Sequence, residues 1–369
     1  MAAAAAAAVD PTPASQRALV VKDKPQYSNP RPGFKGGPRN GHWGAELDPG
    51  FATAKSAVDG AIASIWATGT WEAFRQAWLA PVPVPDDCPQ PGRDVEQSLR
   101  AVPVRDGAEV EIQISRKVGD PAPPGGKVLV LRTHGGGWAT GGHATEMVEN
   151  LKTVGVGGLV MVSVDYRLAP EYPFPYAVND AFDVLKWCKA HASELDVNPE
   201  KIILLGGSAG ANMSIVLSLM AREEGVTGII GQVLDYPTSC HPKFFPKDKY
   251  ELESYDQHYD ASVVNSLLME TFLDAYDPDP KPDWRHSPLL VDSCKGLPPA
   301  FVQVAGADPL RDEGIAWAER LEADGVPVEL HVYKGLPHFF SAVVATLPQT
   351  KLFLDRQAAW IKKTIASSS

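Results

Sequence analysis

Ile202-Ile203-Leu204-Leu205-Gly206-Gly207-Ser208-Ala209-Gly210 decides the architecture of this chain. Residues 202–205 are a short apolar run bounded by glycine, which reads as a buried strand. From 209 to 222 the pattern is helical. Ser208 therefore stands on a sharp strand-to-helix turn. Small neighbours let such a serine adopt a strained backbone and raise its hydroxyl above a sheet. The helix start behind it supplies free backbone N–H groups and a positive dipole end, which suit developing negative charge. A phosphate-binding turn would look similar, but no Lys-Ser/Thr pair follows this one.

Outward from that stretch, strands and helices alternate. Residues 128–132, 159–164, 229–234, 301–304 and 328–333 read as strands. Residues 145–154, 177–191, 312–323 and 349–365 read as helices. Residues 99–105 and 110–116 alternate as a hairpin around Asp106-Gly107. This order predicts an α/β protein with a mostly parallel eight-stranded sheet flanked by helices. The sheet body is expected over 96–236 and 300–369. Residues 237–299 are far longer than a strand connection needs. They are expected to join a helical segment, 46–95, in a cap. In that segment Val58, Ile62 and Ile65 share one helical face. Trp71, Phe74, Trp78 and Leu79 follow at helical spacing until Pro81, Pro83 and Pro85 end the run. Residues 1–45, rich in Ala, Pro, Gly and Asn, cannot support a core and read as a flexible arm.

Apolar residues make up 44% and charged residues 21%, the balance of a soluble globular protein. The net charge of −11 argues against a nucleic-acid partner, which needs a basic surface. No signal peptide or membrane-length apolar run is visible. Cys88, Cys188, Cys240 and Cys294 show no metal or redox spacing. A cytoplasmic monomer or homodimer, without membrane partners, is the expectation.

Chemistry gathers at the carboxyl ends of the strands. His134-Gly135-Gly136-Gly137-Trp138 follows the strand at 128–132, and its bare backbone can aim two N–H groups at one oxygen. His134 belongs to that loop and is expected to shape it. A serine nucleophile needs a base, and the base needs an orienting carboxylate. His338 stands just past the last strand and Asp308 just past the strand before it. The order serine, aspartate, histidine matches the α/β-hydrolase order. Asp235 is a rival carboxylate, while Asp312 and Glu313 read as stabilisers of a helix start. Asp165 and Arg167 are expected to pin a turn as an ion pair.

The segments His134 to Trp138, Asp165 to Glu171, Gly206 to Gly210, Asp308 to Asp312 and Gly335 to Phe340 together resemble the hormone-sensitive lipase family of α/β-hydrolases, carboxylesterases included. The resemblance implies Ser208 as nucleophile, His338 as base and Asp308 as its orienter. It implies an oxyanion hole from the N–H groups of Gly136, Gly137 and Ala209, and a cap built partly from N-terminal helices. The expected activity is a serine carboxylesterase that cleaves short- to medium-chain or aromatic carboxylic esters through an acyl-enzyme. An acyltransferase or amide hydrolase would use the same three residues, and a non-catalytic small-molecule receptor would lack one of them. Trp138, Trp66, Trp71 and Phe339 are the candidate substrate contacts. No metal or organic cofactor is expected.

Overall fold

A computed structural model describes residues 17–81 and 83–368; the alanine-rich start of the arm lies outside the described residues. One sheet holds β1 (Val95–Pro103), β2 (Glu109–Lys117), β3 (Lys127–Thr133), β4 (Leu159–Asp165), β5 (Val197–Gly207), β6 (Ile229–Asp235), β7 (Ala300–Ala305) and β8 (Val328–Tyr333). Their spatial order is β1-β2-β4-β3-β5-β6-β7-β8. β2 runs antiparallel to β1 and β4, and the remaining pairs are parallel. The helices are α1 (Pro49–Trp66), α2 (Trp71–Trp78), α3 (Met147–Gly155), α4 (Tyr176–Ala190), α5 (Ala192–Leu195), α6 (Ala209–Glu224), α7 (Ser254–Gln257), α8 (Ser266–Tyr276), α9 (Arg311–Ala323), α10 (Phe340–Val343) and α11 (Pro348–Ser367).

The two-residue period of a strand sorts the core into two layers. Leu129, Leu131, Val160, Val162, Ile202 and Leu204 face one side, where they meet Phe182 of α4, Ile215 of α6 and Trp317 of α9. Val128, Val130, Leu159, Met161, Ile203 and Leu205 face the other, where they meet Leu151 and Val154 of α3 and Ile361 of α11. Each such side chain contributes about 2 kcal/mol by leaving water. β5 starts at Val197, ahead of the apolar run that marks it in the sequence, because the strand also takes in Asn198, Pro199, Glu200 and Lys201, which carry no apolar pattern. No helix among the described residues is long and apolar enough to cross a membrane.

The helices outside this sandwich have legible starts. The Asp48 side chain accepts from Gly50 N and Phe51 N, with Pro49 at the first turn of α1. Thr70 caps α2 through Ala73 N. Asn265 caps α8 through Leu268 N. The sequence pattern had passed over α8 inside the insert. α2 packs on it, Trp66, Phe74 and Phe272 forming one aromatic cluster.

Residues 17–45 have no core of their own and lie along the insert. Backbone N–H groups of Gln26 and Tyr27 donate to buried Glu270, that of Asn29 to Asp256, and those of Arg39 and Asn40 to Glu251. Gln257 Nε2 in turn donates to the carbonyls of Lys35 and Gly41. The segment ends against the loop after β8, where Gly335 N donates to Trp43 O and Asp48 N to Gly335 O.

Candidate active site

β5 delivers Ser208 to the top of the sheet with φ 54° and ψ −120°. A side chain at that positive φ is strained by about 1–3 kcal/mol. The surroundings hold it there. Ser208 N donates to Asp235 O over 2.7 Å. A side chain on Gly210 would collide with the Thr133 carbonyl, and one on Gly206 with the Gly210 carbonyl. Both glycines are thus required by close backbone approach.

The loops after β7 and β8 bring Asp308 and His338 to this serine. His338 Nδ1 lies 2.7 Å from Asp308 Oδ2, and Nε2 lies 2.9 Å from Ser208 Oγ. An ionised carboxylate only accepts, so Nδ1 carries the proton and Nε2 accepts from the serine hydroxyl. Asp308 Oδ1 also accepts from Leu310 N over 2.8 Å, which fixes the carboxylate plane. Asp235, the rival, is turned away and accepts from Gln303 Nε2 over 2.9 Å.

Asp312 and Glu313 do something other than stabilise their own helix start. Asp312 Oδ2 accepts from Glu253 N and Ser254 N, each over 2.8 Å. Glu313 accepts from Thr238 Oγ1, Ser239 N, Cys240 N and the Tyr255 hydroxyl. Both carboxylates clamp the insert to the body. Burial pushes the Glu313 carboxyl up to about 7, against the pull of its four donors.

Gly136 and Gly137 take φ of 115° and 57° in the loop after β3. Their N–H groups, and that of Ala209 at the start of α6, find no acceptor among the described residues. His134 sits inside this loop. Its Nδ1 donates to Gly135 O over 2.8 Å, and its ring stacks on Tyr166, whose hydroxyl donates to His134 O. Burial pulls the imidazole down to about 3, so it is neutral. Glu146 Oε1 accepts from Gly135 N, and Arg132 bridges Glu146 and Glu149 beneath the loop. From above, Arg75 of α2 donates to Ala139 O and Ala169 O and pairs with Glu171. A lone arginine in an apolar strand, with two glutamates three apart after it, was the readable sign of the lower brace. The expected Asp165–Arg167 pair is not formed. Arg167 reaches Asp180 at 2.6 Å and Asp106 at 2.7 Å, because its long stem carries it to the neighbouring helix and hairpin.

A narrow cavity of about 20 Å³ opens on Ser208 and His338. Gly135, Gly136 and Gly137 form its floor, and Trp78, Val264, Met269, Phe272 and Phe339 its apolar walls. Of the four expected substrate contacts only Phe339 lines it. Trp66 and Trp71 pack behind Phe272, with centroids 5.0 and 6.3 Å from its ring. Trp138 is buried in a stack on Tyr276, 4.2 Å away. The periodicity of α2 explains the exchange: Trp71, Phe74 and Trp78 share a face, and only its last member reaches the serine.

Residues 130–342 match the model of the alpha/beta hydrolase fold family. The chain belongs to the α/β-hydrolase fold family. An AB hydrolase superfamily protein of Schizosaccharomyces pombe is 35% identical over 302 residues, 80% of this chain and 86% of that protein. Carboxylesterase NlhH of Mycobacterium tuberculosis is 35% identical over 243 residues, 64% of this chain and 74% of that one. Among solved structures, a fungal esterase of Rhizomucor miehei superposes with a TM-score of 0.73 at 30% identity, covering 86% of this chain and 97% of its own. The stretch matched by the family model, 130–342, runs from within β3 through β8 and contains Ser208, Asp308 and His338.

Proposed function

We propose that this chain is a serine carboxylesterase that cleaves esters of short or medium acyl chains, or of aromatic acids, through an acyl-enzyme. The observation that carries the proposal is the continuous chain from Asp308 through His338 to Ser208, with its open end in an apolar cavity. His338 takes the Ser208 proton as Oγ attacks the ester carbonyl. Asp308 holds the imidazole's orientation and stabilises the imidazolium. The oxygen turned negative is received by the N–H groups of Gly136, Gly137 and Ala209. His338 then protonates the leaving alcohol, and water activated by the same imidazole releases the acid. The esterase names of NlhH and of the Rhizomucor structure support the reaction class.

The aromatic walls favour a flat or short acyl group over a long flexible one. The helical segment 46–95 and the insert 237–299 act together as the cap over a body of 96–236 and 300–369. The acidic charge supports a soluble, cytoplasmic setting. The test is turnover of p-nitrophenyl acetate together with labelling by an aryl phosphonate. Mass spectrometry should find one phosphonyl group, on Ser208. Turnover that persists in a folded Ser208→Ala protein would end the proposal.

A further inference from the structure

The geometry points to a divalent transition-metal site, best suited to zinc, formed by Glu111, His143 and Asp165 with His134 as fourth donor, on the face of β2 and β4 behind the glycine loop. One ligand atom each from Glu111, His143 and Asp165 can be chosen so that all three lie within 4.8 Å of one another. Glu111 and Asp165 are direct partners across the antiparallel pair of β2 and β4. Like charges placed opposite each other in this way are unfavourable unless something positive joins them. Neighbouring carboxylates show the usual solution: Asp106, Asp180 and Asp183 are each paired with an arginine. Among the described residues, neither Glu111 nor Asp165 is paired with a lysine or arginine; each faces a histidine instead.

Those histidines carry the inference beyond an acidic cluster. His134 is 1% exposed, and its Nε2 has no hydrogen-bond partner. Its Nδ1 proton is committed to Gly135 O, so Nε2 presents a bare lone pair. That lone pair lies 3.9 Å from Asp165 Oδ1. Two acceptors facing each other gain nothing directly, but both can bind one cation. His143 repeats the arrangement. Its Nδ1 is held by Ser163 Oγ at 3.0 Å, while buried Nε2 is unpartnered and 3.7 Å from Glu111 Oε1. Fixing one ring nitrogen by a hydrogen bond and leaving the other free is how proteins orient metal-binding histidines.

Ligands about 2.0–2.1 Å from a tetrahedral zinc stand about 3.3 Å apart. The His143–Glu111 and His134–Asp165 pairs, at 3.7 and 3.9 Å, need shifts of a few tenths of an ångström. The separations of up to 4.8 Å among Glu111, His143 and Asp165, and the approach of His134 to Glu111 and His143, need larger rotations of the Glu111 and Asp165 side chains. Two imidazoles and two carboxylates suit zinc better than calcium or magnesium, which prefer all-oxygen shells. Half-exposed Glu111 and Asp165 leave an entry path, while His134 anchors the inner side. The four residues come from β2, β4 and the loop between β3 and α3, so no single sequence spacing reveals them. Such an ion would brace the glycine loop from behind and stand outside the chemistry at Ser208.

The full chain, stripped with a chelator, should be titrated with Zn²⁺ by calorimetry and with Co²⁺ by visible absorption. One equivalent is expected, with the intense d–d bands of four-coordinate Co²⁺. His143→Ala and Asp165→Asn should abolish both signals. Ser163→Ala, which removes only the support of the His143 ring, should weaken affinity about 10- to 100-fold. Ester turnover by the metal-free variants reports that they are folded. Absence of stoichiometric binding overturns the site. So does binding that His143→Ala and Ser163→Ala leave unchanged, since the ion would then sit elsewhere.

Discussion

Ser208 holds a backbone conformation that glycine adopts at lower cost, and it does so for the placement of one hydroxyl. Two substitutions separate these effects. Ser208→Ala should stay folded and lose on the order of 10⁴- to 10⁶-fold in kcat. Ser208→Gly should be equally inactive yet more stable than Ser208→Ala by about 1 kcal/mol, because only glycine relaxes at φ 54°. Urea midpoints in the order Gly below Ala would refute the strain. Asp308→Asn keeps the shape and removes the anion, so kcat should fall by about 10⁴-fold. Asp235→Asn, whose side chain meets Gln303 rather than His338, should alter stability and leave turnover near that of the parent. Parallel steady-state kinetics on the two variants decide which carboxylate orients the base.

α9 joins the insert to the body through two buried carboxyls, and one of them, Glu313, makes the junction sensitive to pH. Burial raises Glu313 to about 7 from an ordinary value near 4.5, so between those values the folded chain holds a proton the unfolded chain has released. Stability from this group is therefore full below pH 4.5 and is lost as pH rises through 7, by on the order of 3 kcal/mol. Glu313→Gln should flatten that part of the stability curve, as measured by urea denaturation at pH 5 and pH 8. A parallel slope in both proteins would rule the effect out. In the glycine loop, Gly137→Ala sets a side chain at positive φ against the Phe272 ring and should lower kcat at least tenfold with the sheet intact. The strands around Ser208 were legible because burial on both faces writes itself as short apolar runs, and because Gly206 and Gly210 mark where backbones touch. α8 left a weaker trace, Leu268, Met269, Phe272 and Tyr276 after the Asn265 cap, in a segment dense with proline and charge. The walls of the cavity were illegible for another reason. Trp66, Trp71 and Trp78 are equivalent aromatics in sequence, and only the packing of α2 on α8 tells which one meets the serine.

At the scale of the whole molecule, the cavity over Ser208 is small because two separate segments close over it. Val264, Met269 and Phe272 come from the insert, and Trp78 comes from before the sheet begins. Specific activity should accordingly fall as acyl chains lengthen from acetyl to palmitoyl. Met269→Ala and Trp78→Ala should move the optimum to longer chains. A p-nitrophenyl ester series checks both, and a steady rise toward palmitate in the parent would contradict the enclosed site. The strap formed by residues 17–45 bears on assembly in time. This segment leaves the ribosome before the sheet does, yet its hydrogen-bond partners lie at Glu251, Asp256, Glu270 and Gly335. The nascent strap must wait for nearly the whole chain, and contacts of such sequence separation form slowly. Closure of the molecule is thus a late event, carried out by residues synthesised before the sheet. In pulsed hydrogen exchange during refolding, the Gly335 amide should gain protection after the amides of β3, β4 and β5.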